Sequence, residues 1–175
     1  MDNKNVQLEH DSHSTADSET LPLCILVKDM ESPSNVGNIF RIADALGVEK
    51  IYLSGNTQVP PNTKIRRVSR AAELYVDYQY VENPVDTLQA LSAKGYEIVG
   101  LDITSESIDL NDFVVKSESK ICLVLGSERS GIHESLLKEC DVTVHIPMVG
   151  KKSSMNVGNA FAISVYSLGL KLRSI

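Results

Sequence analysis

The sequence predicts an α/β domain, a mostly parallel sheet with helices on both faces. Three observations predict it. Residues 23–28 (LCILVK) and 120–125 (KICLVL) are nearly unbroken apolar runs, the composition of strands buried on both sides. Segments with apolar residues at helical spacing stand between the strands. Hydrophobic residues make up 42% of 175 residues, enough for the single core of one domain.

Each element follows in order. Residues 1–20 are polar and carry almost no large apolar side chain, which predicts a disordered acidic tail ahead of one domain over 21–175. Residues 23–28 form the first strand. Residues 35–46 form a helix with Val36, Ile39, Phe40, Ala43 and Leu46 on its inner face, ended by Gly47. Residues 50–54 are a second strand and 55–62 a loop with two prolines. Residues 74–80 read as a third, exposed strand. Pro84 opens a helix that runs to about residue 94, with Gly95 as its cap. Residues 97–101, 120–125 and 142–146 are further strands, and 133–140 a short helix before the last of them. Residues 157–172 are a long helix with two apolar stripes. One is Ala160, Phe161, Leu168 and Leu172; the other is Ile163, Tyr166 and Leu170. A helix apolar on two sides is buried on two sides, so one stripe calls for a partner subunit.

Composition narrows the class. No run of 18 apolar residues is present, which excludes a spanning helix, and the N-terminus lacks a signal-peptide pattern. Cys24, Cys122 and Cys140 are odd in number and lack metal-ligand spacing, so they read as reduced thiols of a cytoplasmic protein with no metal. The net charge is −6, but Lys4 stands against Asp2, Glu9, Asp11, Asp17 and Glu19 in the tail. That balance of −4 leaves −2 for the other residues. His10 and His13 in the tail read as solvated.

The chemistry concentrates in residues 145–168, HIPMVGKKSSMNVGNAFAISVYSL. A strand stops before Pro147, which lacks a donor. Gly150 turns the chain. Ser153, Ser154 and Asn156 are cap residues for the helix that follows. Polar loops at the carboxyl ends of strands are where α/β proteins bind ligands. Residues 126–131 (GSERSG) also follow a strand directly. They are neither a Walker loop, since Ile132-His133 stands where Lys-Ser/Thr would be, nor the dinucleotide G-x-G-x-x-G. A plain strand–helix turn and a ligand loop both remain open there. Asn35 is open between helix cap and site residue, and Arg41 between a surface pair with Asp44 and a site residue.

Three segments resemble the motifs of the SpoU/TrmH family of RNA ribose 2′-O-methyltransferases, in the SPOUT superfamily: 35–43 (NVGNIFRIA), 123–132 (LVLGSERSGI) and 146–157 (IPMVGKKSSMNV). They occur in the family's order and span roughly residues 23–172. The resemblance implies a C-terminal deep trefoil knot, S-adenosylmethionine (AdoMet) as methyl donor with S-adenosylhomocysteine as product, an RNA substrate, and a homodimer paired through the last helix; the want of room for a separate RNA-binding domain favours tRNA over rRNA. It implies that Leu125, Gly126, Ile146, Met148 and Val157 hold AdoMet, and that Arg41, Asn35, Ser154, Asn156 and Glu128 form the catalytic set. Glu128 reads as a support for the loops, by accepting backbone or Asn35 hydrogen bonds, ahead of a catalytic role.

Arg41 is the family's catalytic arginine. A guanidinium keeps its proton, so its reading is a phosphate clamp that stabilises charge at the 2′-oxygen. Lys64, Arg66, Arg67 and Arg70, with Lys151 and Lys152, read as the RNA-binding surface. The sequence shows no separate RNA-binding domain and no C-terminal extension of the kind some relatives carry. It departs from the motif at Met155, where many relatives have Leu, and at Gly158, where many have Ser. Intact site residues favour the enzyme over a non-catalytic RNA-binding or assembly protein of the same fold, and over a small-molecule nucleotide-binding protein.

Overall fold

The computed structural model describes residues 20–150 and 154–173. Seven strands form one sheet in the order β3-β2-β1-β6-β4-β7-β5, and every paired register is parallel. The strands are β1 (Leu21–Lys28), β2 (Val48–Ser54), β3 (Tyr78–Val81), β4 (Tyr96–Leu101), β5 (Ile108–Asp109), β6 (Lys120–Leu125) and β7 (Val142–His145). The helices are α1 (Pro33–Leu46), α2 (Thr63–Ser69), α3 (Pro84–Ala93), α4 (Glu134–Leu137) and α5 (Val157–Arg173).

Alternation along the central strands divides the interior into two layers. Leu23, Ile25 and Val27 of β1 and Ile121, Leu123 and Leu125 of β6 pack with Ile39 and Phe40 of α1 and Phe161 and Val165 of α5. Cys24, Leu26, Cys122 and Val124 face the other way, against Leu88 and Leu91 of α3 and Leu136 of α4. Helices therefore cover both faces. All three thiols are free, and desolvation raises each: Cys24 to about 11, Cys140 to about 12, and Cys122 well above its ordinary value. They remain protonated and inert near neutral pH.

Helix α5 follows β7 but packs on α1 and β1, across the sheet. Its far end is anchored by Lys171, whose Nζ donates to the carbonyls of Leu110 (2.8 Å), Asn111 (2.9 Å) and Phe113 (2.6 Å). Gly37 lets α2 lie close to α1, because a Cβ there would stand 2.8 Å from Val68 Cβ and 2.9 Å from the Ile65 carbonyl oxygen.

The region between β2 and β3 differs from the sequence expectation. The strand expected over 74–80 starts only at Tyr78, and Ala72–Leu74 is a 3₁₀ turn. The turn satisfies Leu74 and Tyr75 N–H groups locally and buries Val76 before pairing with β2 begins. The basic run before it is helix α2, capped by Asn62, which accepts from the N–H groups of Lys64 and Ile65. The expected helix over 133–140 is the single turn α4, with His133 at its cap. Strand β5 has two residues and no sequence pattern of its own.

Arg70 and Ala71 both take left-handed backbone angles, φ 56° and 67°. That conformation costs a residue with a Cβ about 1–2 kcal/mol. Ala71→Gly removes that cost against a smaller entropic loss in the unfolded chain. It is expected to raise the thermal midpoint by a few degrees, about 2–4 °C per kcal/mol for a chain of this size. Thermal unfolding followed by circular dichroism checks it, and a lowered midpoint would contradict the strain.

Candidate active site

A cleft of about 400 Å³ opens at the carboxyl ends of β4, β6 and β7, where the first turn of α5 meets the start of α1. This is the position at which parallel sheets accept ligands. Its apolar wall includes Leu101, Leu125, Ile146, Met148, Val157 and Ala160. Its polar side carries Asn35, Asp102, Glu128, Ser154 and Asn156.

The loop after β6 is closed on itself. Ser127 N–H donates to the Gly131 carbonyl (3.0 Å) and Gly131 N–H to the Ser127 carbonyl (3.1 Å). No side chain fits at Gly126, where a Cβ would lie 2.0 Å from the Gly131 carbonyl carbon and oxygen. Asp102 braces the same loop: its Oδ2 accepts from Ile132 N–H (2.7 Å) and its Oδ1 from Ile103 N–H (2.7 Å). Asp102 escaped the sequence reading. The available signal was its place just beyond the end of an apolar strand.

A chain of hydrogen bonds joins three distant segments across the cleft mouth. Asn35 Nδ2 donates to Glu128 Oε1 (2.9 Å), and Asn156 Nδ2 donates to Asn35 Oδ1 (3.2 Å). Asn156 Oδ1 accepts from Gly158 N–H (2.8 Å) and so caps α5. Asn35 is not the helix cap. Ser32 is, and Pro33 opens the helix, which frees the Asn35 side chain for Glu128 and Asn156. Gly158 leaves room for this contact, since a Cβ there would lie 3.1 Å from Asn156 Oδ1 and 3.3 Å from Asn38 Cβ.

On the far side of Asn35 and Glu128 lies a polar recess of about 600 Å³, lined by Asp29, Ser32, Asn56 and Arg129 among others. Burial opposes ionisation of Asp29, but hydrogen bonds from Lys28 and the Asn56 N–H hold its carboxyl below the usual range. The Asp29 carboxylate is therefore ionised and paired with Lys28, and Arg129 lines the same recess.

The structure thus brings together Asn35, Glu128, Ser154 and Asn156 with Leu125, Gly126, Ile146, Met148 and Val157. Arg41 stands apart. It is exposed on the outer face of α1, one turn beyond Asn38, and does not line the cleft. Among the described residues it makes no ion pair with Asp44. Lys64, Arg66, Arg67 and Arg70 are exposed on or just after α2. Lys151, Lys152 and Ser153, and the tail over 1–19, lie outside the described residues. Among the described residues no group of three or more His, Cys, Asp and Glu is placed to hold a metal, and no helix is long and apolar enough to cross a membrane.

The seven-stranded parallel sheet with helices on both faces is shared with solved structures of SpoU/TrmH methyltransferases, which places the chain in the SPOUT fold class. The chain belongs to the SpoU rRNA methylase family, whose profile matches residues 22–166. It is 29% identical to the 23S rRNA (guanosine-2′-O-)-methyltransferase RlmB of Ralstonia nicotianae over 154 residues, 88% of this chain and 60% of that one. The structure of the SpoU methyltransferase AviRb from Streptomyces viridochromogenes with AdoMet superposes with a TM-score of 0.79 at 29% identity, covering 90% of this chain and 64% of that one. A structure concerned with the 2-OH methylation of C/U34 on tRNA superposes at 0.76 with 25% identity, covering 87% of this chain and 97% of that one. The chain spans 58–64% of the length of the curated relatives it matches.

Proposed function

We propose that the chain is an AdoMet-dependent RNA methyltransferase that modifies a ribose 2′-hydroxyl, with tRNA as the favoured substrate. The observation that carries this is the cleft: every residue expected to hold AdoMet lines it, beside four of the five expected catalytic residues. The relatives named for guanosine-2′-O and tRNA 2-OH methylation support the ribose and the RNA, and the AdoMet in AviRb supports the cofactor. The cleft fits that cofactor. Its volume is in the range of small-molecule sites, and its wall is apolar with a polar edge, as an adenosine requires. The closed loop at Gly126 and the backbone near Ile146 and Met148 would hold the adenosine against Leu125 and Val157. Bound AdoMet supplies a methyl group activated by its sulfonium.

The 2′-hydroxyl must lose its proton as its oxygen takes the methyl group. Arg41 keeps its own proton, so it does not act as the base. Its role is to clamp a phosphate and stabilise charge at the 2′-oxygen. The proton passes to water or to an RNA phosphate. Ser154 and Asn156 hold the ribose in line. Glu128 positions Asn35, and Asn35 positions Asn156. The polar recess beside them admits the target nucleoside.

A homodimer accounts for the place of Arg41. The stripe Ile163, Tyr166 and Leu170 on α5 is 44%, 59% and 48% exposed. The first turn of α5 lines the cleft and its body packs on α1, so pairing through this stripe carries a second α1, with its Arg41, toward the cleft. Ile163→Asp with Tyr166→Asp is expected to convert the dimer to monomer in light scattering and to weaken methyl transfer. A wild-type monomer at micromolar concentration would rule the arrangement out. The family's knot belongs to the same reading and is supported by the return of α5 from β7 to α1 and β1. So do a single domain over 21–175 with an acidic tail before it, and a cytoplasmic location.

Incubation with methyl-labelled AdoMet and total RNA, followed by nuclease mapping, tests the function. The expected product is one 2′-O-methyl nucleotide. Calorimetry showing no AdoMet binding by folded protein at roughly millimolar ligand, where even affinities of about −4 kcal/mol register, would overturn the reading.

A further inference from the structure

A second hollow, of about 270 Å³, lies between α2 and β3, and the proposed methyl-transfer chemistry has no use for it. Pro60, Pro61, Leu74 and Tyr78 give it apolar lining, and Arg66 reaches it from α2. The Tyr78 ring is held edge-on by Phe40, with centroids 5.3 Å apart, so that wall is rigid. Beside the hollow the 3₁₀ turn lifts two large apolar side chains into solvent: Leu74 is 62% exposed and Tyr75 79%. Nothing in the fold of the chain requires an aromatic ring there.

The exposed charges on the rim of this surface are mostly basic. Lys64, Arg66, Arg67 and Arg70 are exposed, and among the described residues none forms an ion pair. Of the two acids nearby, Glu73 is buried, lines the hollow and is bonded to the Ser69 hydroxyl, and Asp77 is paired with Lys50, so cations predominate on the exposed rim. An apolar hollow, an upright tyrosine and a rim of guanidiniums match an unstacked nucleotide. The ring and hollow take a base by stacking, and the guanidiniums take its phosphates.

We propose that this surface binds an unstacked nucleotide of the RNA substrate, so that the substrate is a single-stranded loop or end and not an A-form duplex. The proposal rests on the RNA methyltransferase reading and names the form of RNA it acts on. In a duplex the bases are stacked on each other, and Tyr75 would meet only backbone.

Anisotropy with a fluorescent single-stranded RNA of about 12 nucleotides, within the usual site sizes, tests it against the same RNA annealed to its complement. The single strand is expected to bind more tightly. Tyr75→Ala is expected to weaken that binding by roughly 5- to 100-fold, the scale of one lost base stack, with an unchanged salt dependence. Tyr75→Phe retains affinity. Arg66→Ala with Arg67→Ala instead lowers the salt slope by roughly 1.4, the value for two lost single-strand phosphate contacts. Unchanged affinity in Tyr75→Ala, or duplex binding as tight as single-strand binding, overturns the proposal. Loss of a dimer on light scattering of Tyr75→Ala also overturns it, because the surface then belongs to a second copy of the chain. AdoMet calorimetry on the same samples separates the two readings. Retained cofactor binding with no Tyr75 effect removes only this proposal, whereas a wild-type protein that ignores AdoMet removes the methyltransferase reading itself.

Discussion

Replacing Gly126 with alanine is expected to remove AdoMet binding while leaving a folded protein. The added Cβ would lie 2.0 Å from the Gly131 carbonyl carbon and oxygen and 2.3 Å from Ile132 N. These are backbone atoms, so no side-chain rotation relieves the overlap. The loop must open, and both of its Ser127–Gly131 hydrogen bonds and the Asp102 brace must shift with it. Displacement by about 1 Å costs an aligned reacting site on the order of 10²-fold in rate, so turnover should fall with the cofactor binding that the loop edge supports. The stability loss should be of the overpacking kind, about 1–3 kcal/mol, since Gly126 lies beyond the last residue of β6. Calorimetry with AdoMet measures the first effect and thermal unfolding the second. Near-normal AdoMet affinity in this variant would show that the loop after β6 is not part of the cofactor site.

Arg41→Ala is expected to separate binding from chemistry. Arg41 does not line the cleft, so AdoMet affinity should stay nearly unchanged. Turnover should fall by roughly 10²-fold or more, the scale for one positioned charge stabiliser. Arg41→Lys should rescue poorly, because an ammonium cannot reproduce the planar fork of a guanidinium. Single-turnover transfer of a labelled methyl group is the measurement. Near-normal rates in Arg41→Ala would return this residue to the surface of α1 and leave the charge at the 2′-oxygen to another group.

The parts of this molecule that could be read along the chain are those set by local chemistry. Strand β6 was expected at its observed bounds, because six apolar-rich residues end against a glycine loop. Helix α5 was expected within one residue, from the polar cap before it and the long apolar spacing after it. The loops over 126–131 and 146–150 stayed open between plain connection and ligand loop on local chemistry, and were read as ligand loops only through the resemblance of their motifs. What escaped is non-local. Asp102 matters because β4 lies beside β6, which brings its carboxylate under the loop at Gly131. Strand β5 exists because β7 offers an edge. The backbone around Tyr75 follows a 3₁₀ turn because Val76 must be buried before β3 can pair with β2, although its β-prone residues favour a strand. The motif residues named Arg41, but its distance from the cleft became visible only in three dimensions.

Lys171 gives all three of its N–H bonds to the carbonyls of Leu110, Asn111 and Phe113, which pins the far end of α5 as firmly as Asn156 fixes its start. The helix, 17 residues long, is a strut of about 26 Å at 1.5 Å per residue. One end of the strut is a wall of the cleft proposed for AdoMet, and the stripe proposed for pairing lies along its length. A member clamped at both ends transmits a tilt and does not absorb it. If chains pair along that stripe, a ligand in the cleft is expected to shift the pairing, and by linkage the pairing to shift the ligand's affinity by the same free energy. The dissociation constant of the pair should therefore depend on AdoMet concentration, and releasing the clamp with Lys171→Met should uncouple the two equilibria before it abolishes either.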